Sequence, residues 1–215
     1  MIGPHGAQAA SLRPRFGRIA WIATLTALVA TLGAAPSAGA STSSVNSGQA
    51  SVALTVTSID QPWYSTEQFY LGLVNCTRTG GWVLSNGTCR GYGSGHYSAY
   101  VRPLRISSYI SDRVSRPYAM MLAVKSICSH FASGDPGYRL RRVGLTHWTW
   151  AENIGCRDGY ASAKAAVLTS HLYFQAEKSS NGGHWRNIKS ATYTLIGIGV
   201  WRYGSRTRLV TDFYR

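Results

Sequence analysis

The chain is poor in acidic side chains: eight Asp and Glu stand against 22 Lys and Arg in 215 residues, a formal net charge of +14. Such a balance bears on solubility and favours polyanionic partners, without specifying a fold. Charged residues of either sign make up only 14% of the chain, while 45% is hydrophobic and 12% aromatic, which excludes a disordered polyelectrolyte and a coiled coil. Several motifs are also missing. There is no C-x-x-C pair for a zinc ribbon, no H-E-x-x-H helix, no G-x-S-x-G nucleophile elbow and no Walker phosphate loop. No motif therefore demands catalysis.

Nor is there a membrane span within the folded part. The apolar run from Ile19 to Gly33 is shorter than the roughly 20 residues that cross a bilayer. Arg13, Arg15 and Arg18 precede it and Ala38-Gly39-Ala40 follows, the order of a signal peptide, so residues 1–40 are expected to be removed and the protein secreted. That leader takes three basic residues and no acidic ones, leaving 19 against eight, or +11, on the exported chain. Residues 41–62, rich in Ser, Thr, Ala and Gly, form a flexible lead-in. One domain is expected over 63–215, without a membrane span.

What is present is an even set of four cysteines, Cys76, Cys89, Cys128 and Cys156, all in the exported part. In an oxidising compartment they imply two disulfides with three possible connectivities. Sequence proximity favours Cys76 with Cys89 and Cys128 with Cys156, each contributing about 3 kcal/mol through loop closure. The second bridge would hold its Cα atoms within about 7 Å and bring His130 and Glu152 into one neighbourhood.

Apolar spacing predicts a helix from Ser65, as N-cap, to about Gly80, an irregular Gly- and aromatic-rich stretch over 80–100, and a second helix from Ser115 closing at His130. A short helix over 138–143 and a period-two strand over 146–156 follow, the strand placing Trp148, Trp150, Glu152, Ile154 and Cys156 on one face. Asp158 is expected to cap a third helix with Ala161, Ala165, Leu168 and Leu172 as its stripe, and strands over 193–202 and 207–214 close the chain around Tyr203-Gly204-Ser205. This order implies a layered α+β domain. Polar residues interrupt good structure at Cys128-Ser129-His130, at Trp150 to Gly155 and at Gly182 to Ile188, the last read as a loop. His96, His147 and His171 read as loop, surface or structural residues.

These segments resemble the CAP superfamily (cysteine-rich secretory, antigen 5 and pathogenesis-related group 1 proteins, or SCP domains) in its bacterial secreted form. The matching residues are the helix Leu71 to Arg78, Ser129-His130-Phe131, Glu152-Asn153-Ile154, Gly183 to Ile188, Gly197 to Trp201 and Leu209 to Phe213. The resemblance implies a three-layer α-β-α sandwich with a central antiparallel sheet. It also implies a cleft lined by two His and two acidic residues that often holds a divalent metal. His130 and His184 match the histidines and Glu152 the first acid. The second acid is absent from its usual place, which reads Ser170-His171-Leu172-Tyr173, so Glu177 is the substitute.

The expected function is that of an extracellular protein acting by binding a ligand or partner through this cleft. Zinc is the expected metal, because imidazole and carboxylate donors suit it better than calcium. The alternative is a metal-dependent extracellular hydrolase using the same residues. Arg139, Arg141 and Arg142 form a basic cluster expected to meet anionic extracellular or cell-envelope groups; a small ligand in the cleft is a further expectation, and nucleic acid is not an expected partner.

Overall fold

The computed structural model describes residues 61–215, so the expected leader and residues 41–60 of the lead-in lie outside the described residues. Helix α1, Tyr64–Arg78, starts two residues earlier than expected, with Trp63 at the N-cap, and Ser65 sits inside its first turn instead of capping it. Its buried side chains, Tyr70, Leu73, Val74 and Thr77, follow the 3.6-residue period. Strands β1 (Trp82–Val83) and β2 (Cys89–Arg90) pair antiparallel within the stretch expected to be irregular. The Cys76–Cys89 disulfide fastens this small hairpin to α1, with Cα atoms 5.8 Å apart.

After β3 (Arg105–Ile106), the chain enters α2 (Ser108–Ile110), runs through a π-helical turn at Ser111–Ser115 and continues as α3 (Arg116–Val124) with Pro117 in the first turn. This helix ends six residues before His130, not at it. Ser126 adopts a left-handed conformation (φ 56°), and the redirected chain brings Cys128 to Cys156, Cα atoms 6.1 Å apart. Both disulfides thus follow the favoured pairing. Helix α4, Pro136–Arg142, is capped by Asp135, whose carboxylate accepts from the Tyr138 amide at 2.7 Å.

Strand β4 covers Trp150–Asp158. Asp158 ends this strand and accepts from Arg208 at 2.6 Å, so it does not cap the next helix. Ser162 does so instead, accepting from the Ala165 amide at 3.1 Å, and α5 runs Ala163–Ala176. The later start rotates the buried stripe to Ala163, Ala166, Val167, Ser170, His171 and Phe174, leaving Leu168 and Leu172 at the edge of the core. A 3-10 turn (Glu177–Ser180), helix α6 (Gly183–Lys189) and strands β5 (Leu195–Tyr203) and β6 (Arg206–Tyr214) complete the domain.

The main sheet has the order β3-β5-β6-β4. β6 pairs antiparallel with both neighbours, and the two-residue β3 joins β5 as a parallel edge. Strand alternation gives each layer its own core. Ile196, Ile198, Val200, Leu209 and Phe213 pack under α1, α5 and α6, whereas Ile154 and Val210 pack under α3. The second face depends on Gly199, where a Cβ would come within 2.2 Å of the Ser115 carbonyl carbon. The result is a three-layer α-β-α sandwich around a largely antiparallel sheet.

Candidate functional site

Pleating turns neighbouring β4 side chains to opposite faces, and two adjacent residues use this to organise the site. The Glu152 carboxylate points to the α3/α4 side, where Oε1 accepts from His130 Nδ1 at 2.7 Å and Oε2 accepts from Arg139. Only 1% of the Glu152 side chain is exposed, against 39% for His130. Arg139 also donates to the carbonyls of His130 (2.9 Å) and Gly134 (2.6 Å), and its guanidinium lies 3.6 Å from the Tyr118 ring centroid. The Tyr118 hydroxyl donates to the Ser129 carbonyl at 2.6 Å and accepts from the Ala132 amide at 3.1 Å. The imidazole is thereby held from its ring, from its own carbonyl and from both flanks.

Asn153, on the other face, donates to the His184 carbonyl at 3.1 Å and accepts from Asn187 Nδ2 at 2.8 Å. Asn187 also donates to the Glu152 carbonyl at 3.3 Å, so α6 is latched to β4 next to the first pair. His184 occupies the first turn of α6, not a loop. Its Nδ1 donates to Glu177 Oε1 at 2.7 Å and its amide donates to Glu177 Oε2 at 3.0 Å. Its ring stacks on Phe174 with centroids 4.3 Å apart and planes 20° apart. Gly182 makes room for the carboxylate, since a Cβ there would fall 2.5 Å from Glu177 Oε2. The Glu177 and His184 side chains are 18% and 26% exposed.

The four expected residues thus form two carboxylate-braced imidazoles, His130 with Glu152 and His184 with Glu177. In both, Nδ1 is used and Nε2 is left for an incoming group, the arrangement that orients histidine ligands in metal sites. Among the described residues no three His, Cys, Asp or Glu side chains gather as a metal-binding group. On each imidazole Nε2 is the remaining ring nitrogen, with the carboxylate engaged behind it at Nδ1. Of the basic cluster, Arg141 and Arg142 are exposed, whereas Arg139 turns inward to Glu152.

Two buried groups lie beside this frame. Asp212 stands opposite Glu152 in the β4/β6 ladder and is fully buried. Its Oδ2 accepts from Ser115 Oγ at 2.6 Å, and its Oδ1 has no protein partner among the described residues. Burial, reinforced by the neighbouring Glu152 carboxylate, pushes its carboxyl up to about 7. His171, in the place where the family's second acid is expected, is a core residue whose Nε2 donates to Thr77 Oγ1 at 2.9 Å. Burial pushes its imidazole down to about 3. Sequence reasoning does not single out Asn153, Asn187, Tyr118 or Asp212 as functional. The only signals it offers are an Asn beside the strand carboxylate and an Asp within the apolar run Leu209 to Phe213.

No family model matches the sequence, and no curated protein matches it. Among solved structures, the chain is similar to an extracellular protein containing a SCP domain from Bacillus anthracis str. Ames, at 20% identity over 70% of this chain and 40% of that one, with a TM-score of 0.47. It thus spans well under two thirds of that protein. It is similar to an outer surface protein from Borrelia burgdorferi at 13% identity over 70% of this chain and 92% of that one, with a TM-score of 0.51. NaASP2, solved with Zn2+, matches at 15% identity over 70% of this chain and 79% of that one, with a TM-score of 0.46. The likeness to the outer surface protein shows a shared fold, and the layer order and sheet topology are those of the three-layer α-β-α sandwich that the CAP/SCP resemblance implies.

Proposed function

We propose that this is a secreted CAP-type protein that acts outside the cell by binding, and that His130 and His184 are the groups that meet the ligand. The observation that carries this reading is the double brace. Each imidazole is fixed through Nδ1 by a carboxylate less exposed than itself, and Nε2 is left as the acceptor. Two neutral imidazoles suit a borderline divalent cation such as zinc and do not suit calcium, which prefers oxygen donors. A bound cation would supply a positive centre at which an anionic ligand could be held. Glu152 and Glu177 would act as orienting groups. Two disulfides and the absence of free cysteine among the described residues support an oxidising destination, as the leader pattern does.

Zinc titration by calorimetry tests the reading. Saturable binding near one ion per chain at neutral pH, lost in both His130→Ala and His184→Ala and weakened on acidification because imidazole must be neutral to ligate, is expected. Absence of binding in the unaltered protein, or equal binding in both variants, would overturn it.

A further inference from the structure

On the sheet face that carries Glu152, between α3 and α4, lies a cavity of about 320 Å³. That volume is at the lower end of the range occupied by small-molecule sites. Part of its wall is apolar, formed by Val114, Pro117 and Met121, and the Tyr138 ring stands beside it, 45% exposed. Arg113 and Arg142 also line it. Both are exposed and neither makes an ion pair among the described residues.

The nearby carboxylates are already committed. Asp112, one residue before Arg113, accepts from Arg116 and Gln61; Asp135 caps α4; Glu152 is taken by Arg139 and His130. Two guanidiniums therefore border one half-apolar cavity, and no carboxylate among the described residues pairs with either. Guanidinium favours oxyanions through paired N–H donors, and a ring can lie against the apolar wall and Tyr138.

We propose that this cavity binds a small aromatic organic anion, its oxyanion held by Arg113 and Arg142 and its ring packed on Val114, Pro117, Met121 and Tyr138. Neither His130 nor His184 lines the site, although Arg139 and Tyr118, which brace the His130–Glu152 pair, also border it. Of the Arg139, Arg141 and Arg142 cluster expected from the sequence, Arg139 and Arg142 line the cavity and Arg141 does not, while Arg113 is added.

Phenyl phosphate is a suitable probe, titrated by calorimetry in low salt against inorganic phosphate and phenol. Saturable one-to-one binding at least tenfold tighter than either fragment is expected, weakened at least tenfold in the Arg113→Gln/Arg142→Gln double variant and unchanged in His130→Ala. The two arginines are exposed, so the double variant should keep the native circular dichroism spectrum. Phenyl phosphate binding no tighter than inorganic phosphate, or binding retained in a folded double variant, would overturn the proposal. The unchanged His130→Ala result keeps its failure separate from failure of the metal reading.

Discussion

The two His–Glu pairs use the same chemistry on different foundations. His130–Glu152 is built inward: the carboxylate, on β4, is almost fully buried and shares its charge with Arg139, and His130 hangs on a loop drawn to β4 by a disulfide. His184–Glu177 is built at the surface, where a seven-residue separation folds back on itself and Phe174 supports the ring. An identical hydrogen bond is therefore tied to much of the core in one pair and to little of it in the other. The proposed binding would be lost at the first pair through unfolding and at the second through misorientation.

The largest effect expected from breaking this contrast is at Glu152. Glu152→Ala strands Arg139, which is buried, and should lower stability by about 3–5 kcal/mol in urea denaturation. Removing the Cys128–Cys156 bridge with a Cys128→Ser/Cys156→Ser variant should cost about 2–5 kcal/mol and loosen His130 more than His184, measurable as hydrogen-exchange rates in the two segments.

The buried neighbours should then separate by pH. Asp212 holds its proton to a higher pH in the native chain than when unfolded, so its contribution to stability falls as pH rises from about 4 to about 7. His171 behaves oppositely: its native imidazole stays neutral down to about 3, so stability falls as pH drops below the ordinary imidazole value. These trends oppose each other between about pH 4 and 6.5. Asp212→Asn should remove the first, giving thermal melts with a steeper rise toward neutral pH and greater stability than the unaltered protein at pH 8. The smallest change is expected for Glu177→Gln. Its partly exposed pair should alter stability by no more than about 1 kcal/mol, while weakening the zinc binding proposed for His184.

Much of this arrangement is legible in the sequence. Cysteine spacing anticipates both disulfides, and period-two patterns locate β4, β5 and β6 to within a few residues. Glu177 stands out as the one carboxylate near His184, and it is the residue that braces it. The misses have local physical causes. Asp158 and Ser162 are both good capping residues, and an Ala-rich helix gives little amphipathic signal to choose between starts. Gly182-Gly183 reads as a loop, yet glycine is also accepted at an N-cap, where it opens α6. Arg139, one member of an arginine-rich segment, looks like surface until helix α4 turns it toward Glu152. Asp212 is beyond reach because its position opposite Glu152 is a property of strand register, which no local pattern encodes.

Everything proposed for the two pairs turns on carboxylates fixing both imidazoles with Nδ1 inward and Nε2 outward. Long-range nitrogen-15 NMR of the side chains at pH 8, with His130→Gln and His184→Gln for assignment, reads this directly. Nδ1–H tautomers are expected for both residues in the native protein, with the His184 preference lost in Glu177→Gln. Nε2–H tautomers at either residue would contradict the double brace.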